Sequence, residues 1–306
     1  MALTGEQFRI TAGEHEATLV AIGAGLRGYS FRGTEITPTY GEGLPPKGCG
    51  TTLVPWPNRL RGGAYTFDGV SQQAALTEPA ARNAIHGLGR WARWSPVAAP
   101  GRSSASALTL GLDIPPQNGY PYEVRAEVTY ALDEQYGLTV TLRAVNHGAT
   151  RAPFGAGSHP YLTTRGTALD DVQLIVPATR RLITDERQIP VEEAEVAGTL
   201  YDLRTPQPLA GRRFDDGFTG LDPSERKGRY EVLVVAESGT SRVWFDHAFG
   251  YVQVFTVENL VGGEPAIAIE PMTCPADAFN SGTELIVLEP GQEWSASWGI
   301  EPFESL

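Results

Sequence analysis

Glu123-Val124-Arg125-Ala126-Glu127-Val128-Thr129-Tyr130 is followed, across Asp133-Glu134-Gln135-Tyr136-Gly137, by Leu138-Thr139-Val140-Thr141-Leu142-Arg143. In both runs every second residue is apolar and the residues between are charged or polar, which is the period of a strand with one face against a core. The linking segment carries turn chemistry, because Asp bonds its own backbone and Gly accepts a positive φ. The two runs therefore read as an antiparallel hairpin.

Working outward, the same two-residue period recurs at Ala107 to Leu112, Val172 to Val176, Glu231 to Ala236, Arg242 to Asp246, Tyr251 to Val257, Ala266 to Glu270, Leu285 to Leu288 and Trp294 to Ile300. The 35 glycines and 23 prolines cluster between these runs, as turn residues should. Val191 to Val196 reads as one or two helical turns, and Thr199 to Arg229 as a long irregular connection. Many short strands joined by polar turns predict an all-β sandwich or barrel. Strands of one character flank the long connection, so residues 1–306 read as one domain, with a boundary in that connection as the alternative.

Composition narrows the function. With 24 basic against 36 acidic residues the formal net charge is −12, and no basic run offers the attraction that nucleic acid or an anionic membrane requires. The N-terminus lacks a basic start and apolar h-region, and no stretch has the ~18 apolar residues of a membrane span, so a cytoplasmic protein is expected. The two cysteines, Cys49 and Cys274, are too few and too far apart for a disulfide framework or a cysteine zinc site. They read as buried free thiols.

Five histidines are present. His86, in Asn83-Ala84-Ile85-His86-Gly87-Leu88-Gly89-Arg90-Trp91, and His159, in Pro153-Phe154-Gly155-Ala156-Gly157-Ser158-His159-Pro160-Tyr161, sit among glycines and aromatics that leave room for a ligand. His15, His147 and His247 stand in turn or strand-end contexts and read as solvated. In Ala266-Ile267-Ala268-Ile269-Glu270-Pro271-Met272 an apolar strand runs into a glutamate, whose carboxyl at the mouth of a core would be desolvated and its pKa raised toward that of a general base. Arg59, within Pro55-Trp56-Pro57-Asn58-Arg59-Leu60, lies on a proline-stiffened segment able to hold a guanidinium against a hydroxyl. His86, His159 and a carboxylate would suit zinc, but no H-x-H or H-E-x-x-H spacing fixes them on one element, and no metal is expected.

These segments together resemble the aldose 1-epimerase family, in the family's order. The resemblance runs from Asn58-Arg59-Leu60-Arg61-Gly62-Gly63-Ala64-Tyr65-Thr66-Phe67-Asp68-Gly69 through Asn83 to Gly87 and Ser158-His159-Pro160-Tyr161. It continues to Glu270-Pro271-Met272-Thr273-Cys274-Pro275-Ala276-Asp277-Ala278-Phe279-Asn280 and Leu288-Glu289-Pro290-Gly291-Gln292-Glu293. It implies a large antiparallel β-sandwich of the galactose mutarotase-like (supersandwich) type with a sugar cleft across one sheet. It further implies that Glu270 is the general base, that His159 is the general acid, and that Arg59, His86 and Asp216 hold sugar hydroxyls with help from Asn58. Trp56, Tyr161 and Phe279 would stack on the pyranose face. Glu270 ionised and His159 protonated is the expected resting state. No cofactor is implied, and the expected assembly is a monomer or homodimer.

The sequence departs from better-known galactose-active members at His86-Gly87-Leu88-Gly89, where two glycines often follow the histidine, and at Ser158-His159, where asparagine often precedes it. The preferred sugar is therefore open. A hexose-6-phosphate 1-epimerase gripping phosphate through Arg61, Arg90 or Arg93 is one alternative, which the net charge disfavours. A carbohydrate-binding or sensing domain without turnover is the other, although such a domain has no need of an acid–base pair.

Overall fold

In the opening hairpin, Val124–Asp133 and Gly137–Asn146 pair without interruption, from Val124 opposite Asn146 to Asp133 opposite Gly137. This is a computed structural model describing residues 2–98, 101, 104–225 and 228–303. The Asp133 carboxylate accepts the backbone N–H groups of Gln135 and Tyr136 at 2.8 and 2.9 Å, closing the turn. Gly137 has φ 75°, and a Cβ there would stand 2.6 Å from the Ile300 carbonyl oxygen. Only glycine satisfies both demands.

The hairpin lies near the middle of an eight-stranded antiparallel sheet. Its order is Ser95–Pro96, Ala107–Ile114, Val124–Asp133, Gly137–Asn146, Glu293–Phe303, Gly239–Phe245, Tyr230–Ala236 and Gln173–Ile175. A second sheet of eight strands runs Pro190–Glu195, Ala178–Thr184, Asp215–Leu221, Tyr251–Val261, Glu264–Met272, Gly157–Ser158 and Thr52–Leu53, with Tyr161–Thr163 also paired to Glu264–Met272. Gln7–Ala12, His15–Val20, Gly25–Phe31 and Thr34–Thr37 form a separate four-stranded sheet.

Alternation decides which side chains enter the core. Leu110, Val128, Val140, Trp298 and Val243 from the first sheet join Val252, Val254, Ile267 and Ile269 from the second in one continuous buried cluster that extends from Ile10 to Ile300. Each such side chain contributes roughly 1.5–3 kcal/mol through removal from water. All the runs of alternating residues identified in the sequence are strands at these places. Cys49 and Cys274 are buried free thiols.

Three expectations are corrected. Residues Pro190–Glu195 form an edge strand paired with Ala178–Thr184, not helical turns. Val191 and Ala194 have helical spacing, but Val191 faces solvent, so no apolar stripe is buried to hold a helix; backbone pairing and the Arg180 ion pair with Glu193 hold a strand instead. The connection from Thr199 to Arg229 contains the central strand Asp215–Leu221. Its glycines hid it: a Cβ at Gly217 would stand 2.9 Å from Leu182 Cδ1, and Gly220 has φ 62°. His15 also departs from its solvated reading, being buried with its Nδ1 2.8 Å from the Tyr29 hydroxyl. His147 and His247 are exposed. Among the described residues no helix is long and apolar enough to cross a membrane.

Candidate active site

Parity places the glutamate. On Glu264–Met272, Ile267 and Ile269 point into the core, so Ala268, Glu270 and Met272 share the opposite face. Their register partners there are Phe255, Gln253 and Tyr251. Glu270 is only 2% exposed. Its strand continues for two residues beyond it, so it lies within the strand, on the floor of a cleft of about 330 Å³ that also holds Asn58, Arg59, His86, Arg90, His159 and Asp215.

His159 follows the two-residue strand Gly157–Ser158, which is wedged between Glu264–Met272 and Thr52–Leu53. Its N–H donates to the Thr51 carbonyl at 3.0 Å, and its own carbonyl accepts from Gly50 N–H at 2.8 Å. A Cβ on Gly48 would stand 3.3 Å from the imidazole, so glycine there leaves the ring its place. Tyr161 stacks behind it, ring centroids 5.1 Å apart at 22°, and Trp298 Nε1 of the first sheet donates to Ser158 Oγ at 2.9 Å. His159 Nε2 thereby comes to 3.4 Å from Glu270 Oε1.

His86 has φ 62° and is bound to Asn58 in both directions. Its N–H donates to the Asn58 carbonyl at 2.8 Å, and the Asn58 N–H donates to its Nδ1 at 3.2 Å. Nδ1 is thus an acceptor, and the ring proton belongs on Nε2, assigned from this bond. A polar chain crosses the cleft from there. Arg59 forks onto Glu78 through Nε and Nη2, each at 2.9 Å in its shortest contact, and donates through Nη1 to Asn58 Oδ1 at 3.3 Å. Asn58 Nδ2 donates to Gln253 Oε1 at 3.3 Å, and Gln253 Nε2 donates to Asp215 Oδ1 at 2.8 Å.

The structure thus brings Glu270, His159, His86, Arg59 and Asn58 together. It does not bring Asp216. Asp216 pairs with Val254, a core residue, and its carboxylate meets Arg181 Nη1 at 3.3 Å on the far face of the sheet. Asp215, one residue earlier, has the parity of Phe255 and faces the cleft. Phe279 is likewise misplaced by the sequence reading: it packs edge-on against Trp56 and Tyr65, at centroid distances of 5.6 and 5.0 Å, inside the core. Tyr161 lies behind His159 rather than on the cleft surface. The aromatic wall of the cleft is Phe255, which with Gln253, Lys47 and Asp215 went unrecognised. The signal for Gln253 and Phe255 was the alternation of Tyr251 to Val257, legible only once its partner strand is known.

Burial governs the electrostatics. It pushes the Glu270 carboxyl well above the usual carboxylate range, with nearby Asp215 adding to the shift while Arg59 and Arg90 oppose it. It pushes His159 down to about 3, with Arg90 adding to the depression, and His86 is lowered in the same way, by burial first and then by His159. Both directions favour the neutral pair, with the proton on Glu270, over the expected ion pair with the proton on His159. The neutral pair and the ion pair carry the same number of protons, so one transfer across 3.4 Å interconverts them. Glu270 Oε2 and His159 Nδ1 are buried without a protein hydrogen-bond partner, positions that a ligand hydroxyl or water would satisfy.

His86, His159 and Glu270 also offer one metal-ligand atom each within 4.8 Å of one another. The tautomer of His86 opposes that use, because a metal would need Nε2 without its proton and Nδ1 as a donor, where the Asn58 N–H already points. A larger hollow of about 630 Å³, near Phe31, Glu264 and Phe303, contains none of these three residues.

The fold matches that of a galactose mutarotase-like protein from Clostridium acetobutylicum, with a TM-score of 0.83 at 18% identity over 97% of this chain and 94% of that one. In sequence the chain is 33% identical to the uncharacterized protein YihR of Escherichia coli K12, over 95% of this chain and 92% of the relative. It is 30% identical to the galactose mutarotase of Sus scrofa, over 79% and 75% of the two chains. The aldose 1-epimerase family model matches residues 6–301. The chain belongs to the aldose 1-epimerase family and is an isomerase.

Proposed function

We propose that the enzyme exchanges the α and β anomers of a free aldose, with Glu270 as general base and His159 as general acid. The observation that carries this reading is the 3.4 Å separation of the two groups on the cleft floor. In a hemiacetal the C1 hydroxyl and the ring oxygen O5 sit on the same carbon. An acid and a base that act on both at once must therefore stand side by side, in a site closed to bulk water.

In the forward step, which starts from the ion-pair form reached when the Glu270 proton passes to His159, Glu270 takes the C1 hydroxyl proton while His159 gives a proton to O5, the C1–O5 bond breaks, and an aldehyde forms. Rotation about C1–C2 presents the other carbonyl face. O5 then attacks C1, returning its proton to His159 as Glu270 returns one to the C1 oxygen, so the enzyme ends as it began. His86 donates its Nε2–H to a sugar oxygen, and the Arg59, Asn58, Gln253 and Asp215 chain meets the remaining hydroxyls. Phe255 offers an apolar face to the ring C–H groups. No cofactor enters this scheme.

The test is the approach of freshly dissolved α-D-glucose and α-D-galactose to anomeric equilibrium, followed by polarimetry or NMR. Wild type is expected to accelerate it, and Glu270→Gln to lower kcat by about 100-fold or more with the fold intact. Undiminished turnover in that variant would remove the carboxylate from the mechanism.

A further inference from the structure

Three cations line the cleft, Arg59, Arg90 and Lys47, while Arg61 and Arg93 lie outside it. Arg59 is neutralised by its fork onto Glu78. Arg61 points away, to Asp185 and Asp277 at 3.2 and 3.6 Å. Arg93 lies against Gly5, outside the cleft. Arg90 differs from all of them. It lines the cleft, its Nε is buried without an acceptor, and among the described residues its guanidinium has no hydrogen-bond or ion-pair partner, only the face of Trp91 with its Cζ 4.9 Å from the ring centroid. Lys47 lines the same cleft and likewise has no carboxylate partner, its Nζ lying 5.6 Å from the Phe255 centroid. A guanidinium withdrawn from water without acceptors is unfavourable. Arg90 is half-buried with its Nε enclosed, and the exposed Lys47 adds a second positive charge at the cleft, so the site favours a ligand that brings negative charge.

The strand order says where that charge sits. Across the second sheet the cleft floor runs Asp215, then Gln253 and Phe255, then Glu270, then His159. Arg90 stands beyond His159. Its backbone carbonyl packs on Gly23, whose own carbonyl accepts from Thr52, and the vacant Cβ position of Gly48 lies 3.3 Å from the His159 ring and 3.6 Å from Arg90 Nη2. Arg90 and Asp215 therefore flank the acid–base pair from opposite sides.

We propose that Arg90, assisted by Lys47, forms a subsite for an oxyanion on carbon 6 of the sugar, so that the preferred substrate is an anionic aldose such as a hexose 6-phosphate or a hexuronate. This rests on the reading of His159 as the acid at O5. Carbon 5 carries both O5 and carbon 6, so a substituent on carbon 6 emerges on the side of the group that protonates O5, where Arg90 waits. The far wall, with Asp215 and Gln253, then meets the uncharged hydroxyls. The arrangement also serves the acid: Arg90 helps to hold His159 neutral, and an anion bound to Arg90 offsets that field and lets the imidazole carry the proton it must deliver.

The experiment compares kcat/KM for anomer exchange of glucose, galactose, glucose 6-phosphate and glucuronate in wild type, Arg90→Gln, Arg90→Lys and Lys47→Gln. Wild type is expected to favour an anionic sugar over the neutral ones by at least about tenfold. Arg90→Gln reduces that ratio about 10- to 100-fold, chiefly through KM, as loss of a charge-assisted bidentate contact does. Arg90→Lys restores part of it, and Lys47→Gln lowers it a few-fold. A response to the phosphate alone or to the uronate alone assigns the subsite to that anion. A neutral sugar preferred by wild type, or a ratio unchanged in Arg90→Gln, overturns the proposal. Should wild type turn over none of the sugars, it is the acid–base reading that fails. Calorimetric affinities for glucose 6-phosphate and glucose then decide the subsite: a preference for the phosphate that Arg90→Gln abolishes upholds it, and equal affinities overturn it.

Discussion

The two large sheets bury their inner faces in the same core, yet they are built differently. In the first, the central strands run 8 to 11 residues with unbroken registers. Its outer face is closed by side chains that bond each other, such as Thr109 to Thr129 at 2.8 Å and Thr141 to Ser297 at 2.9 Å. In the second, the strands beyond Glu264–Met272 shrink to two and three residues, and the register slips between Val257 and Val261 and between Ile183 and Thr184. Continuous pairing satisfies the backbone and leaves little to point elsewhere. Where pairing stops early, the chain turns inward, and the Asn58, His86 and His159 segments fold over the floor that carries Glu270. Unbroken pairing is concentrated in the first sheet and the cleft residues in the interrupted one.

The sharpest way to break this division is at residues the sequence had assigned to the wrong side. Phe279→Ala empties a core position among Trp56, Tyr65 and Tyr120. It is expected to lower the unfolding free energy by about 3–5 kcal/mol in chemical denaturation while leaving KM of the folded fraction unchanged. A raised KM at unaltered stability would return Phe279 to the cleft.

Next in size is a pair of opposite tilts with pH. Glu270 has its pKa raised on folding, so the stability it contributes is present below its ordinary 4.5 and is lost as pH rises above that value. His159 is lowered from 6.5 to about 3, so its contribution is present above 6.5 and lost as pH falls toward 3. Between 4.5 and 6.5 the two slopes cancel in wild type. Relative to wild type, Glu270→Gln should therefore lose stability as pH falls through this window, and His159→Asn as pH rises, each by up to about 1.4 kcal/mol per pH unit. Tilts of the same sign in both variants would show that the two groups do not share a proton.

Adjacent aspartates test parity. Asp215→Asn is expected to raise KM about tenfold, while Asp216→Asn, on the opposite face with Arg181, changes it by less than about twofold. The reverse ranking would overturn the assignment of faces. Smallest is Trp298→Phe, which keeps the ring in the first sheet and removes only the bond to Ser158. A loss of about 1 kcal/mol in stability is expected, and a fall in kcat beyond a few-fold would mean that the regular sheet also orients His159.

The first sheet was legible because strands such as Val124–Asp133 and Gly137–Asn146 bury alternate residues, so local alternation states their role. Glu270, His159, His86, Arg59 and Asn58 were found by chemistry-bearing residues standing among glycines and apolar runs, and by their resemblance to a family. The failures share one cause. Asp216 and Asp215 differ only in which way their strand faces, and Phe255 lines the cleft by its register with Asp215 whereas Phe279 sits on the short helix Ala278–Ser281; no local pattern encodes a register with a partner about forty residues away. The strand at Asp215–Leu221 was lost because glycines chosen for close approach look like glycines chosen for turns.

Cys49 and Cys274 bracket the site in the chain, one directly after Gly48 at the rim and one two residues after Met272 on the floor, and burial pushes both thiols up to about 12. A thiol held protonated and out of contact with solvent reacts with an alkylating reagent only during the moments when its surroundings part. The molecule therefore carries two internal clocks, and the difference between their labelling rates measures how often the mouth of the cleft opens without the sandwich coming apart.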